Sequence, residues 1–174
     1  MRNTLLIWAV LSLLFLWWCW NSYPLEIESW NISWNPSLKA NMQVIDFDEE
    51  NGDVMFQEIS DDEDDNLDTL IVAYDSEDYQ SNNIWLASYV QMSINQIKDL
   101  WVYELSDEKA EKKTIWEHQA ILKTYQIKDD ERELYVAQEF IELNNKNVVM
   151  LSFTSDESSH VKTFIKELST LQIN

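Results

Sequence analysis

Glycine is nearly absent. At an average usage of roughly 7%, a chain of 174 residues carries about 12 glycines; this one has a single glycine, Gly52. No Gly-rich loop of the kind that cradles phosphates in nucleotide-binding folds is present, and reading the tryptophans as glycines creates none. Cysteine also occurs once, as Cys19, so no internal disulfide can form. Basic side chains are scarce: 12 Lys and Arg face 32 Asp and Glu, for a formal charge of −20. Binding to nucleic acid depends on clustered Lys and Arg at phosphates, so nucleic-acid partners are set aside. The acidity favours solubility and cation association and does not bear on fold. No cofactor motif is present.

What is abundant is tryptophan. The nine are Trp8, Trp17, Trp18, Trp20, Trp30, Trp34, Trp85, Trp101 and Trp116. Most do not fall in the apolar patterns that such large rings usually occupy. Trp30 and Trp34 lie in the polar run ESWNISWNPS, Trp101 follows NQIKDL where a helix should stop, and Trp116 separates KKTI from EHQA where one strand should give way to the next. These are glycine places. The glycine deficit and the tryptophan excess point together to a recoding, in which several or most of the tryptophans are glycines in the organism, encoded by UGA codons that a few bacterial lineages read as glycine; the alternative is a genuinely tryptophan-rich protein. UGG codons at these positions would end the recoding reading.

The first 22 residues place the only cysteine. Arg2 gives a short basic start, Leu5 to Leu16 an apolar core, and LSLLFLWWCWNS leads through Cys19. With glycine at 17, 18 and 20 this resembles a bacterial lipoprotein signal peptide. Leu16 then stands at the third place before the cysteine, small residues lie between, and cleavage falls between Trp18 and Cys19. The resemblance implies that the Cys19 thiol takes a diacylglycerol group and that acyl chains hold the mature N-terminus in the bilayer. As printed, Trp17 and Trp18 are too bulky for such processing. The competing arrangement is an uncleaved helix from Leu5 to Trp20, short against the roughly 20 residues a spanning helix needs. Either arrangement puts the chain at the cell membrane with its domain outside the cytoplasm.

The expected organisation is therefore a signal peptide over 1–18, a flexible spacer over 19–37 with Pro24 and Pro36, and one domain over 38–174. Asn51-Gly52 between alternating apolar residues marks a hairpin over 42–59. SDDEDDNLD (60–68) is a charged loop and TLIVAYDS (69–76) a strand rich in β-branched and aromatic residues. Residues 86–100 form an amphipathic helix with Ala87, Val90, Ile94 and Ile97 on one face. Position 101 is then the left-handed stop. A short strand and polar bend follow over 102–115, then strands over 117–127, 133–143 and 148–155. Val149, Leu151 and Phe153 face one way. A closing helix spans 158–173, with Val161, Phe164, Ile165, Leu168 and Leu171 as its buried stripe. The fold class is α+β: an antiparallel sheet with a mid-chain helix and a C-terminal helix packed on it.

The second half resembles the PsbP-like fold, also found in bacterial lipoproteins of the DcrB-related group. The stretches that carry the similarity are INQIKDLW, TIWEHQAILKTY, YVAQEFIELNNKNVVMLSFTSD and HVKTFIKELSTLQI, over about residues 69–174. Trp101 and Trp116 depart from the family's glycines as printed. The resemblance implies a non-catalytic binding or assembly module and transfers no catalytic residue.

Residue chemistry adds little to that. His118 and His160 are expected as surface histidines, since nothing in the local sequence organises them into a nucleophile or zinc site. DFDEENGD (46–53) is only superficially like a calcium loop, because its glycine is at the seventh place and Gln57 stands at the twelfth. DDEDDNLD (61–68) could hold a divalent cation weakly, though charge runs are usually solvated loops. Three functions are carried forward: a tethered module that binds a protein or small ligand, a metal-dependent enzyme of the cell envelope, and a purely structural surface protein. A deep cleft gathering a histidine with carboxylates would favour the second.

Overall fold

A computed structural model describes residues 25–27, 32–34, 36–37, 42–47, 53–59, 68–75, 85–100, 104–128, 132–143 and 147–173. Ten strands and two α-helices are present among them. They are β1 (Leu25–Ile27), β2 (Ile32–Trp34), β3 (Met42–Phe47), β4 (Val54–Glu58), β5 (Thr69–Asp75), α1 (Leu86–Leu100), β6 (Glu104–Ile115), β7 (His118–Lys128), β8 (Glu133–Glu142), β9 (Val148–Ser155), α2 (Ser158–Glu167) and β10 (Gln172–Ile173). Seven strands form one antiparallel sheet in the order β3-β4-β5-β9-β8-β7-β6. The fold is α+β, as the sequence pattern predicts.

Strand alternation sends each strand's residues to two opposite faces, and a helix covers each face. On one side Leu122, Ile141, Val149, Leu151 and Phe153 meet Val161, Phe164 and Leu168 of the C-terminal segment. On the other, Ile121, Tyr125, Val136 and Phe140 meet Leu86, Val90 and Ile94 of α1. Burying each of these large side chains is worth about 1.5–3 kcal/mol. Leu86, rather than the expected Ala87, starts the buried stripe of α1; Ala87 is exposed. Leu86, Val90, Ile94 and Ile97 keep the i, i+4, i+8, i+11 spacing that one helix face requires.

Three elements differ from the expectation. First, the stretch 102–115 holds one long strand instead of a short strand and a bend. It absorbs an extra residue between Ser106 and Lys109 as a bulge, with Asp107 at φ 50°. Second, the last helix stops at Glu167. There the Ser169 and Thr170 hydroxyls donate to the carbonyls of Lys166 (2.8 Å) and Glu167 (2.7 Å), competing with helix continuation. A 3-10 turn over Leu168–Thr170 still delivers Leu168 and Leu171 to the core. Third, two strands lie inside the segment expected as spacer. β1 pairs β2, and β2 pairs β10, in a second, three-stranded sheet.

Trp34 fastens that small sheet. It is 1% exposed, its ring meets Phe164 edge-on at 5.8 Å, and its indole N–H donates to the Glu167 carbonyl at 3.1 Å. The Glu167 carboxylate accepts the Ser37 N–H at 2.9 Å and also the Ser37 hydroxyl. Trp34 is thus core, and a glycine there would leave a ring-sized void. Its polar neighbours in the sequence hid this, because its partners lie more than 130 residues away.

Candidate ligand groove and the surrounding polar clusters

A groove of about 500 Å³ opens where the first turn of α1 crosses the hairpin end of β6 and β7. Its floor is apolar, with Leu86 and Ile121 buried; Ala120 also borders it, its side chain on the opposite face. Its rim is polar and exposed: Lys112 and Thr114 from β6 and Gln119 from β7, with Trp85 and Ala87 across from them. Strand alternation explains the arrangement. Lys112 pairs Ile121 and Thr114 pairs Gln119, so these four side chains share the α1 side of the sheet. Among the described residues the lining includes no carboxylate and no imidazole.

Lys113 also borders the groove, but its side chain belongs to the opposite face, where it reaches Glu139. Glu139 is 0% exposed and lies between Leu122 and Leu151 in the sheet. The Lys113 ammonium is 2.5 Å from Oε2, the ion pair that Glu139 makes among the described residues. Desolvation by burial pushes the Glu139 carboxyl above the ordinary range, and Lys113 opposes that only in part.

On the α1 side a polar row crosses the sheet. Lys123, Gln138 and Ser152 are register partners and all are buried. Gln138 donates to the Ser152 hydroxyl at 3.2 Å. Lys123 pairs with Glu108 at 3.0 Å, and Glu108 also takes Lys98 of α1 at 2.6 Å. Hydrogen bonds from Lys98 and then Lys123 hold the Glu108 carboxyl below the ordinary range. Burial pushes the Tyr125 phenol up, and the charge of Glu108 adds to the effect. This network ties the end of α1 to β6 and β7.

Of the two histidines expected at the surface, His118 is buried and His160 remains partly exposed. His118 is 9% exposed, with its Nδ1 3.0 Å from the Glu142 carbonyl. The Nδ1 of His160 is 2.8 Å from Oδ2 of buried Asp68, and its Nε2 is 3.5 Å from Glu157. The Asp68–His160 contact spans 92 residues, and no local signal in the sequence announces it. The two histidines share no partner. The Ser159 hydroxyl donates to Glu157 at 3.1 Å instead of facing the imidazole, so the cluster docks the start of β5 onto α2 without assembling a nucleophile. Among the described residues no group of three or more His, Cys, Asp or Glu is placed to hold a metal ion. The acidic run 61–67, Asn51-Gly52, Trp17, Trp18, Cys19, Trp20, Trp30 and Trp101 lie outside the described residues.

Trp116 is described. It opens the two-residue turn between Ile115 and His118, with φ at 56°. Glu117, the second turn residue, is not in the left-handed region. A positive φ at the first central position alone is the type II′ pattern, where glycine is preferred. The indole itself is 66% exposed and donates to the Leu171 carbonyl at 2.9 Å.

No family model matches the chain, and no curated protein matches it. Among solved structures, PA94, a protein of unknown function from Pseudomonas aeruginosa, aligns over 77% of this chain and 98% of its own at a TM-score of 0.55 and 18% identity. LpqN, involved in cell envelope biogenesis of Mycobacterium tuberculosis, aligns over 74% of this chain and 73% of its own, with a TM-score of 0.49 and 11% identity. The Pseudomonas similarity establishes a shared fold.

Proposed function

We propose that this chain is a lipid-anchored extracytoplasmic protein whose α+β domain binds a ligand or partner without catalysing a reaction. The observation that carries the non-catalytic part is the groove. It is a concavity of ligand size, and its walls offer ammonium, amide and hydroxyl groups over an apolar floor. The histidines and the buried carboxylate are engaged elsewhere, as docking contacts and an ion pair. Such a wall suits recognition of a bound molecule better than proton transfer to it. The PsbP-like kinship belongs to the same proposal and is supported by the order of α1, β6 to β9 and α2.

The anchor part rests on the signal-like N-terminus. Cys19 carries the lipid, cleavage falls after residue 18, and positions 17 and 18 are glycine in the living protein. Trp116 supports the recoding, because its backbone takes a shape that costs an L-residue about 1–2 kcal/mol. Trp34 marks its limit, being a core indole. Among the described residues no helix is long and apolar enough to cross a membrane. The test is mass spectrometry of the protein isolated from its native membrane. The expected result is an acylated Cys19 at the mature N-terminus, glycine at 20, 101 and 116, and tryptophan at 34. An unlipidated cysteine behind an uncleaved leader, with indoles at 17 and 18, would overturn the anchor.

A further inference from the structure

We infer that the groove between α1 and the β6–β7 hairpin binds an anionic amphiphile, with Lys112 as the residue that selects the charged head. The inference rests on the reading of the domain as a binding module and adds the class of ligand. Three observations carry it.

The first is charge. In a chain of net charge −20, the lysines around this hairpin are mostly neutralised: Lys113 by Glu139, Lys123 by Glu108 and Lys128 by Glu133. Lys109 and Lys112 have no ion-pair partner among the described residues, and of the two Lys112 stands on the rim of the concavity. A cation left unpaired amid so many carboxylates is the complement of an incoming anion.

The second is the division of the surface. The floor formed by Leu86 and Ile121 is apolar, whereas Lys112, Thr114 and Gln119 set an ammonium, a hydroxyl and an amide along one rim. A bare inorganic anion would leave the floor uncovered, and a neutral hydrocarbon would leave the ammonium without a counter-charge. A molecule with an anionic end and an apolar body satisfies both.

The third is size. A volume of about 500 Å³ lies inside the roughly 300–1,000 Å³ of small-molecule sites. It would hold a body of one or two rings or a medium acyl chain. A protein strand added along the β6 edge is disfavoured. The bulge at Asp107 and the lysines along β6 are the features that guard edge strands against such pairing.

The test uses the full chain in isolated membranes and the photoreactive carboxylate 4-benzoylbenzoate, with 4-methylbenzophenone as its neutral counterpart. Cross-links are mapped by peptide mass spectrometry. The carboxylate should label residues 85–87 and 112–121, and 4-phenylbutyrate should compete. Lys112→Glu should weaken labelling about tenfold, because it replaces attraction by repulsion at the rim. Gln119→Glu, on the same rim, should weaken it in the same direction. Lys162→Glu, on the exposed side of α2, should leave it unchanged. Equal groove labelling by the neutral probe, with no effect of Lys112→Glu, would overturn head-group selection while leaving the groove a binding site. Absence of competable labelling in the groove by either probe would overturn the binding reading as well.

Discussion

The two faces of the seven-stranded sheet are built to different standards. The α2 face is broad. It runs from Phe56 and Leu70 on the β4–β5 side through Leu151 and Phe153 to Leu122, and it is sealed by Phe164, Leu168, Leu171 and Trp34. Phe153 and Phe164 stack there at 5.2 Å. The α1 face is narrower. Its buried apolar residues come from α1, β7, β8 and β9, with Leu105 of β6 packed against them, a row of buried polar side chains crosses it, and the groove opens at its edge. The difference teaches where stability and adaptability reside. The α2 face commits nearly every strand to one core, while the α1 face leaves side chains and volume unspent. Binding sites are drawn from the less committed regions of a fold.

The comparison breaks most directly by cutting matched side chains from the two helices. Phe164→Ala should cost about 4 kcal/mol and Ile94→Ala about 3 kcal/mol, since both are fully buried but Phe164 lies in the denser cluster. Chemical denaturation of the two variants gives the order. A larger loss at Ile94 would mean that α1, not α2, anchors the domain.

The next effect is smaller and sets an exception within the α2 face. Glu139 is a fully buried carboxylate among leucines, and burial raises its pKa in the folded state. Above the unfolded value the folded protein therefore binds more protons than the unfolded chain. Its contribution is fully present below pH about 4.5 and declines as pH rises through the folded value. Glu139→Leu should remove that decline and raise stability at pH 8 by about 1–2 kcal/mol, with Lys113 turning to solvent. Glu108 has the opposite sign. Its lowered pKa contributes stability above the ordinary carboxylate range that is lost as pH falls. Urea titrations of the parent and Glu139→Leu from pH 4 to 8 separate the two. An unchanged slope in the variant would remove Glu139 as its source.

How much of this was legible in the sequence depends on distance along the chain. Strand β9 and helix α1 were readable to the residue, because alternation in VVMLSFTS and the stripe from Val90 to Ile97 are local signals. The small sheet was not. β1, β2 and β10 have two or three residues each, and Ser33 finds Gln172 at the other end of the chain. The groove was invisible for a related reason. Its walls come from 85–87 and 112–121, and Lys112 in AEKKT looks like any solvated lysine until its neighbours are seen to be paired. Asp68 and His160 were separately visible and jointly unreadable.

The smallest predicted effect bears on the clearest contrast between two residues of one type. Trp34 and Trp116 both use the indole N–H on a carbonyl of the C-terminal segment, Glu167 in one case and Leu171 in the other. Trp34 is buried against Phe164, while Trp116 is mostly exposed on a left-handed backbone. In protein made with the printed sequence, Trp116→Gly should relieve about 1–2 kcal/mol of backbone cost. It forfeits one partly exposed hydrogen bond, worth about 0.5–1 kcal/mol, so the net gain is about 0.5–1 kcal/mol, read as a rise in the thermal midpoint. At Trp34 the same exchange must lose stability by several-fold more, since it empties a ring-sized volume in the core. Equal responses at the two sites would mean that the turn tolerates an indole as well as the core requires one, and the physical reason for placing glycine at 116 would be gone.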